Sequence, residues 1–464
     1  MQTLQAKPKP LALGPGKLSR LESRKELVQA GGFFFLVSVV AMFLIDGGLE
    51  NIVDLPSALD AVSRITSLLG TAILLIMLLL TARIPWIDAQ FGQDQATHTH
   101  KRLGKPAFYL ILGHFAASLI SYAITDGRDL ASELWYLVTR IEDFLTATIS
   151  LVAMVAVVVS SFTFARKRLK YESWYVTHLL SYATVILAIP HIFNMGTDLV
   201  MNQVHNAVWM FAYVFVGYNI LTFRVLLPLW RSLAAGVKVE RVNRESGDAV
   251  SIYLTGRMLD RFAAKPGQFF HVRFLTKSLW AQAHPFSISS VPGGHSIRFT
   301  IADRGDGSNL MQKVKPGTRV ILSGPFGVFT EDKRTHRDVV LIAAGIGIPP
   351  VRALAEGMRS TPSDISILYR TRNIHDAPLL DELAELSELK GHNLVVVDGS
   401  RPANDNWLSH THLSDKQHLL QLFPRIQFAD VYVCGPIEFT SRVQQTLKGL
   451  GLKPSQIHSE EYAW

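Results

Sequence analysis

The chain has 464 residues, a formal charge of +8 and a single cysteine, Cys434. Such a length allows two or three domains, and one cysteine excludes both a disulfide framework and a thiolate iron–sulfur site. The positive charge does not mark a nucleic-acid binder, because the basic residues gather at the edges of apolar runs instead of forming a stripe interleaved with aromatics.

In chain order, residues 1–26 form a polar tail bearing Lys7, Lys9, Lys17, Arg20, Arg24 and Lys25. No small-residue cleavage site follows its first apolar run, so no removable signal peptide is expected. Residues 27–230 hold nearly all the long apolar runs, at 27–45, 65–82, 106–124, 144–165, 174–193 and 207–223. Each is near the twenty residues that a bilayer requires, so this region is predicted to be a six-span helical bundle in a lipid bilayer. The connections alternate in charge. Asp46, Glu50, Asp54 and Asp60 follow the first span, and Asp126, Asp129 and Glu133 the third. Arg83, Lys101, Arg102 and Lys105 follow the second, and Arg166, Lys167, Arg168 and Lys170 the fourth. The positive-inside rule then places both termini and the soluble half in the cytoplasm, with the cell membrane as the location.

Ionisable residues inside membrane helices are rare and functional by default. His178 and His191 stand thirteen residues apart in the fifth run, and His100 and His114 fourteen apart before and within the third. At helical rise these spacings are about 20 and 21 Å. Two such helices side by side would present one histidine each at two levels, and a pair of facing imidazoles is the axial set of a six-coordinate haem. Two haem b groups stacked across the bilayer are therefore expected, with His100 and His178 inside and His114 and His191 outside. His98 competes for the inner position, and His100 is preferred because it matches the spacing of the other pair.

Residues 231–335 show short alternating strands with Gly and Pro turns, at 250–255, 268–274 and 296–301, a pattern that predicts a small antiparallel β-barrel. Within it, His284, Pro285, Phe286 and Ser287 could line a planar ring system. The turn through Gly305, Gly307 and Ser308 offers backbone N–H groups to a phosphate. Residues 336–464 change to an α/β rhythm. A strand at 339–343 runs into Gly345, Gly347 and Pro350 and then a helix at 351–358, the arrangement that brings a pyrophosphate to a helix N-terminus. The strand at 365–369 ends in Arg370 and Arg372 where an NAD-specific site usually has an acid, which favours NADPH. A later strand, 431–434, leads through Cys434 into Gly435 and Pro436.

Taken in this order, six spans with paired histidines, HPFS, GxGxxP, Cys-Gly-Pro and an aromatic C-terminus, the chain resembles the NADPH oxidase and ferric reductase superfamily, whose dehydrogenase half is similar to ferredoxin–NADP reductases. The resemblance implies FAD held by residues 284–287 and 305–308, and NADPH held by Gly345, Gly347 and Pro350 and by residues 434–436. It also implies that Trp464 covers the flavin face, that Ser287 sits near the reactive flavin nitrogen and that Cys434 lies under the nicotinamide, these three being the catalytic set. Two departures stand out: Pro349 where Thr or Ser is usual, and Ala344 where a glycine often precedes the motif. No EF-hand loop appears.

The expected activity is electron transfer from cytoplasmic NADPH through FAD and two haems to an outer acceptor. Flavin is implied because NADPH yields two electrons and haem iron accepts one. Molecular oxygen, giving superoxide, is the first candidate acceptor. Ferric chelates drawn by Asp126, Asp129, Glu133, Glu142 and Asp143 are the alternative. A relay to an external partner protein is a third reading, although the sequence requires no such partner. His205, Arg128 and Arg140 at the outer edge have no role fixed by spacing.

Overall fold

The computed structural model describes residues 15–169, 171–400, 406–408 and 413–462. Two compact units result. One comprises Glu26–Ile84 and Gln95–Leu221; the other contains Pro85–Asp94 and Thr222–Trp464.

Six helices in the described residues are long and apolar enough to cross a membrane: Glu26–Ile45, Leu55–Thr81, Gln95–Asp126, Phe144–Ser161, Ser173–Met195 and Gln203–Ala235. All six expected spans are present, and the first belongs to a helix that already begins at Pro15, within the segment read as a tail. Their ends are set by local chemistry. Asp54 and Ser57 form a reciprocal capping box at the start of the second span, and the Asn202 side chain accepts from the Val204 and His205 N–H groups at the start of the sixth. Large apolar side chains stay exposed on the helix surfaces, among them Phe34, Val152, Ile186 and Phe211, as a surface solvated by lipid requires. Between helices the contacts use small and hydroxylated residues. A Cβ on Gly70 would lie 2.8 Å from Ile111 Cδ1, and buried Ser150 donates to the Thr184 carbonyl at 2.8 Å.

In the second unit, β1 (Lys238–Arg244), β2 (Ala249–Thr255) and β5 (Ser296–Ala302) form one antiparallel sheet. A second sheet consists of β3 (Phe269–Phe274), β4 (His284–Ser287) and β6 (Val320–Phe326), in the order β4-β3-β6. The barrel expected from the strand pattern is thus two three-stranded sheets around one core of Ile252, Leu254, Phe270, Val272, Ile288, Phe299 and Leu322. Among the described residues, backbone bonds between the sheets run from Val239 N–H to the Thr318 carbonyl, from Val320 N–H to Val237 and from Ser289 N–H to Arg298, beside the bridges Ile288 to Phe299 and Lys238 to Arg319. Alternation fixes which face of each strand is buried, but not which edges pair.

The remaining strands are β7 (Asp338–Ala344), β8 (Ile365–Arg370), β9 (Asn393–Val397), β10 (Ala429–Pro436) and β11 (Ile457–Tyr462). They build a five-stranded parallel sheet in the order β11-β10-β7-β8-β9. The strand order reverses between β7 and β10, so the loops leaving these two strands diverge and open a crevice at their C-terminal ends. β7 and β10 are buried along nearly their whole length, which explains their continuous apolar sequence.

Candidate functional site

In the membrane unit the third and fifth spans bring the four histidines together in two pairs. The ring centroids of His100 and His178 are 6.1 Å apart, and those of His114 and His191 are 6.4 Å apart. Two nitrogen–metal bonds of about 2 Å each, plus the half-width of two rings, require a separation of roughly 6 Å. Both pairs therefore fit an imidazole on either side of a single iron. Hydrogen bonds orient the rings. His100 Nδ1 donates to the Met77 carbonyl at 3.2 Å; a carbonyl can only accept, so Nδ1 carries the proton and Nε2 keeps its lone pair for a metal. His114 Nδ1 meets both the Ser63 hydroxyl at 2.8 Å and the Ser63 carbonyl at 3.1 Å, which orient the ring. Ser161 Oγ lies 3.3 Å from His178 Nδ1, and Trp174 stacks on the His178 ring. His191 Nδ1 is buried and makes no hydrogen bond, with Phe144 edge-on to the ring. His98 is exposed. The second-span residues Ser63 and Met77 escaped sequence reasoning, because nothing in a serine or a carbonyl announces a partner on another helix.

His205 is not free to meet a substrate. Its Nδ1 pairs with Asp46, and the residue is buried. On the same side Arg64 pairs with Asp198.

In the soluble unit the two proposed flavin segments meet. A Cβ on Gly307 would lie 3.3 Å from both Gln282 Oε1 and His284 Cε1, so a side chain there would require these two to give by a few tenths of an ångström, and the turn lies close against the β4 strand. The backbone is less available than its composition suggests: Gly305 N–H donates to Asp303 at 3.2 Å, and Arg304 N–H to Ser308 Oγ at 2.7 Å. Asp303 is held below the usual carboxylate range, chiefly by the Asn309 side chain and the Gly305 N–H. Ser287 is buried, and its hydroxyl donates to Glu460 Oε2 at 3.4 Å. Glu460 lies on β11 directly beside Cys434 on β10. The sequence reading passed over this glutamate, whose signal would have been a buried acid in the last strand.

The crevice at the switch point holds the glycine loop. Gly345 has φ +52, a left-handed conformation, and a Cβ on Gly347 would lie 2.3 Å from the Cys434 carbonyl oxygen. This packs the GxGxxP turn directly on Cys-Gly-Pro. Pro349 and Pro350 are buried in the first turn of the helix Ile348–Gly357, where a missing N–H costs no hydrogen bond. Tyr369 adds an unforeseen support, since its buried hydroxyl donates to the Gly345 carbonyl at 3.3 Å.

The two arginines part company. Arg370 is buried, and its guanidinium donates to the carbonyls of Thr371, Val397, Gly399, Ser400 and Trp407. Burial lowers its pKa. This corrects the expectation of a phosphate contact there, because every nitrogen of the group is already engaged with backbone. Arg372 is exposed beside the end of β8. Trp464 lies outside the described residues.

Taken together, the fold and these sites define a membrane-embedded oxidoreductase that uses a flavin and a nicotinamide nucleotide. Comparison with known proteins agrees. Residues 66–189 match the ferric reductase like transmembrane component, residues 234–330 an FAD-binding domain, and residues 341–445 an oxidoreductase NAD-binding domain. That sequence of domains is the architecture of the NADPH oxidase and ferric reductase superfamily. A flavohemoprotein of Vibrio cholerae is 28% identical over 275 residues, which is 55% of this chain and 67% of that protein. The ferredoxin reductase component of a Rhodococcus rhodochrous 3-ketosteroid-9-alpha-monooxygenase is 27% identical over 232 residues, or 48% of this chain and 64% of that one. The chain spans 57% of the flavohemoprotein of Oceanobacillus iheyensis. Among solved structures, the FAD/NAD-binding domain of nitric oxide dioxygenase from Vibrio cholerae has 22% identity and a TM-score of 0.40, covering 49% of this chain and 99% of that one.

Proposed function

We propose that this protein carries electrons from NADPH on the cytoplasmic side, through FAD and two haem b groups, to an acceptor on the outer side, and that the acceptor is oxygen, released as superoxide. The observation that carries the reading is the pair of histidine separations, 6.1 and 6.4 Å, on two neighbouring membrane helices. When bound, FAD supplies the change from two-electron to one-electron chemistry and the haems supply one-electron carriers within the bilayer.

The residues divide the work as follows. His100 and His178 would hold the inner iron, and His114 and His191 the outer one. Met77 keeps the His100 imidazole in the tautomer that leaves Nε2 for the metal, and Ser63 orients that of His114. His284, Pro285, Phe286 and Gly307 form the wall for the flavin. Ser287 and Glu460 place a hydroxyl and a buried carboxylate at its reactive edge, beside Cys434. Gly345, Gly347 and Pro350 receive the pyrophosphate, with Gly435 and Pro436 alongside and Trp464 covering the ring. Arg372 reaches the 2′-phosphate.

Asp126 and Glu133 share Arg128 at 2.8 and 2.9 Å, Asp129 caps the helix Leu130–Arg140, and Asp143 accepts from Asn194 at 2.7 Å. One guanidinium offsets one of these charges, and hydrogen bonds from neutral groups remove none, so the outer acids do not weigh against a cationic acceptor; oxygen is favoured instead by what the histidine pairs leave open. With His114 and His191 both holding one iron, the metal would offer no free position to an acceptor, a condition that suits a small molecule that need not bind it.

The test is NADPH consumption by purified protein with FAD and haem, in oxygen alone. Superoxide formed in step with NADPH loss supports the reading. Turnover that begins only with ferric citrate identifies a ferric reductase of the same architecture, and no turnover with either identifies an electron relay to a partner protein.

A further inference from the structure

An ionic cluster joins the flavin sheets to the nucleotide sheet. Arg298, on β5, is buried and donates to Glu382 Oε2 at 2.7 Å, to Ser289 Oγ at 3.0 Å and to the Ser289 carbonyl. Arg352, on the helix that follows the glycine loop, is equally buried. It pairs with the other oxygen of Glu382 and with Glu356, and reaches the same Ser289 carbonyl at 3.3 Å. Glu356 in turn accepts from Val291 N–H at 2.6 Å. Glu382 itself lies on the helix Leu380–Lys390 of the nucleotide half.

The placement of these contacts is what matters. Ser289 is two residues beyond Ser287 at the proposed flavin edge, and Arg352 is two residues beyond Pro350 at the proposed pyrophosphate loop. One carboxylate therefore bridges two guanidinium groups, one from each half, and both converge on a single backbone carbonyl between them. Two arginines beside two glutamates leave the cluster close to neutral. A bridged arrangement of this kind, with both guanidinium groups buried and the Glu382 carboxylate partly exposed, has one geometry, whereas an apolar contact between the same surfaces could slide.

We propose that Glu382 is a positioning residue: the Arg298–Glu382–Arg352 bridge fixes the nicotinamide-binding loop against the flavin strand at the separation that hydride transfer needs. This rests on the reading of residues 284–287 and 345–350 as the flavin and nucleotide segments. The bridge gives and takes no electron or proton; it sets the approach of the two reactants.

The experiment uses the full chain with FAD and haem bound, as wild type, E382A and the near-isosteric E382Q. Hydrogen exchange is measured without nucleotide. In E382A residues 289–291 and the helix Ile348–Gly357 should both exchange ~10-fold faster while β7 and β10 stay protected, the signature of a local joint opening. Stopped-flow flavin reduction at saturating NADPH should then slow by ~10-fold or more, because a misplacement near 1 Å is costly to a transfer step. The NADPH concentration for half-saturation should move less than ~3-fold in the same comparison, since the nucleotide contacts remain. Glu382→Asp should recover part of the rate. Unchanged exchange on either side of the joint overturns the proposal, as does an unchanged rate per bound flavin, or a rate that falls only in proportion to NADPH affinity. Should E382A lose FAD, E382Q carries the same measurements. If wild-type flavin is not reduced by NADPH, the functional reading fails on its own, and the exchange result still decides the bridge.

Discussion

The membrane half and the dehydrogenase half build their sites in opposite ways. In the membrane half, each of two helices carries two histidines thirteen or fourteen residues apart, and a rigid α-helix turns that count directly into a distance. The dehydrogenase site is assembled from strand ends far apart in the chain, so that Ser287, Cys434 and Glu460 meet only through sheet topology. A site written in helical spacing can be read from one segment. A site written in topology cannot.

The largest expected effect separates the two halves. His191→Ala should abolish one of two low-spin haem signals in a reduced-minus-oxidised spectrum and stop electron delivery to the outside, while flavin reduction by NADPH continues. Loss of flavin reduction as well would break the contrast, since it would make the halves one site. The counterpart is Gly347→Ala, whose Cβ would fall 2.3 Å from the Cys434 carbonyl oxygen. That clash involves backbone on both sides, so NADPH should no longer reduce the flavin although both haem signals persist.

Intermediate effects test how the crevice is assembled. Glu460→Gln removes the carboxylate that receives the Ser287 hydroxyl. Flavin reduction is expected to slow by about 10²-fold, the lower end for groups acting at a reacting centre, with little change in FAD content. The arginine pair sharpens the point. Arg372→Ala should weaken NADPH by about 10- to 100-fold relative to NADH, the scale of charge-assisted hydrogen bonds of roughly 1.5–3 kcal/mol. Arg370→Ala should leave that ratio alone and instead cost about 1–3 kcal/mol of stability, because buried carbonyls lose their donor.

The smallest effect is on stability in acid. Asp430 is fully buried on β10. Burial alone would raise its pKa, but hydrogen bonds from His458 and from the His336 and Thr335 N–H groups outweigh it and hold the carboxyl below its usual range. A depressed folded-state pKa stabilises above the unfolded value, about 3.9, and this contribution is lost as pH falls through the lower folded value. Asp430→Asn should lower the melting temperature of the dehydrogenase half at neutral pH, and the gap to wild type should narrow below pH ~4. A gap that widens in acid would reverse the sign of this argument.

Much of the fold was legible. All six spans, the β7 turn into the helix Ile348–Gly357, and the strands bearing HPFS and Cys-Gly-Pro stand where apolar periodicity and Gly/Pro punctuation put them. The barrel region is two three-stranded sheets about one core, and which strand edges meet was not legible, because side-chain alternation reports which face is buried and not which edges pair. Arg370 misled for a similar reason. Sequence gives its position at a strand end, while its five carbonyl partners are those of residues 371, 397, 399, 400 and 407.

Composition and spacing by themselves determined that this chain crosses a membrane and that its histidines fall at two levels; the flavin and nucleotide segments were legible only through motifs that carry a family resemblance. The first two properties depend on solvation and on the fixed rise of a helix, and both act within one segment. The tertiary structure alone decided which groups face one another: Ser63 and Met77 behind the imidazoles, Glu460 against Ser287, and Glu382 between two arginines. These are contacts between residues distant in the chain, and their partners are chosen by packing, which no local pattern encodes.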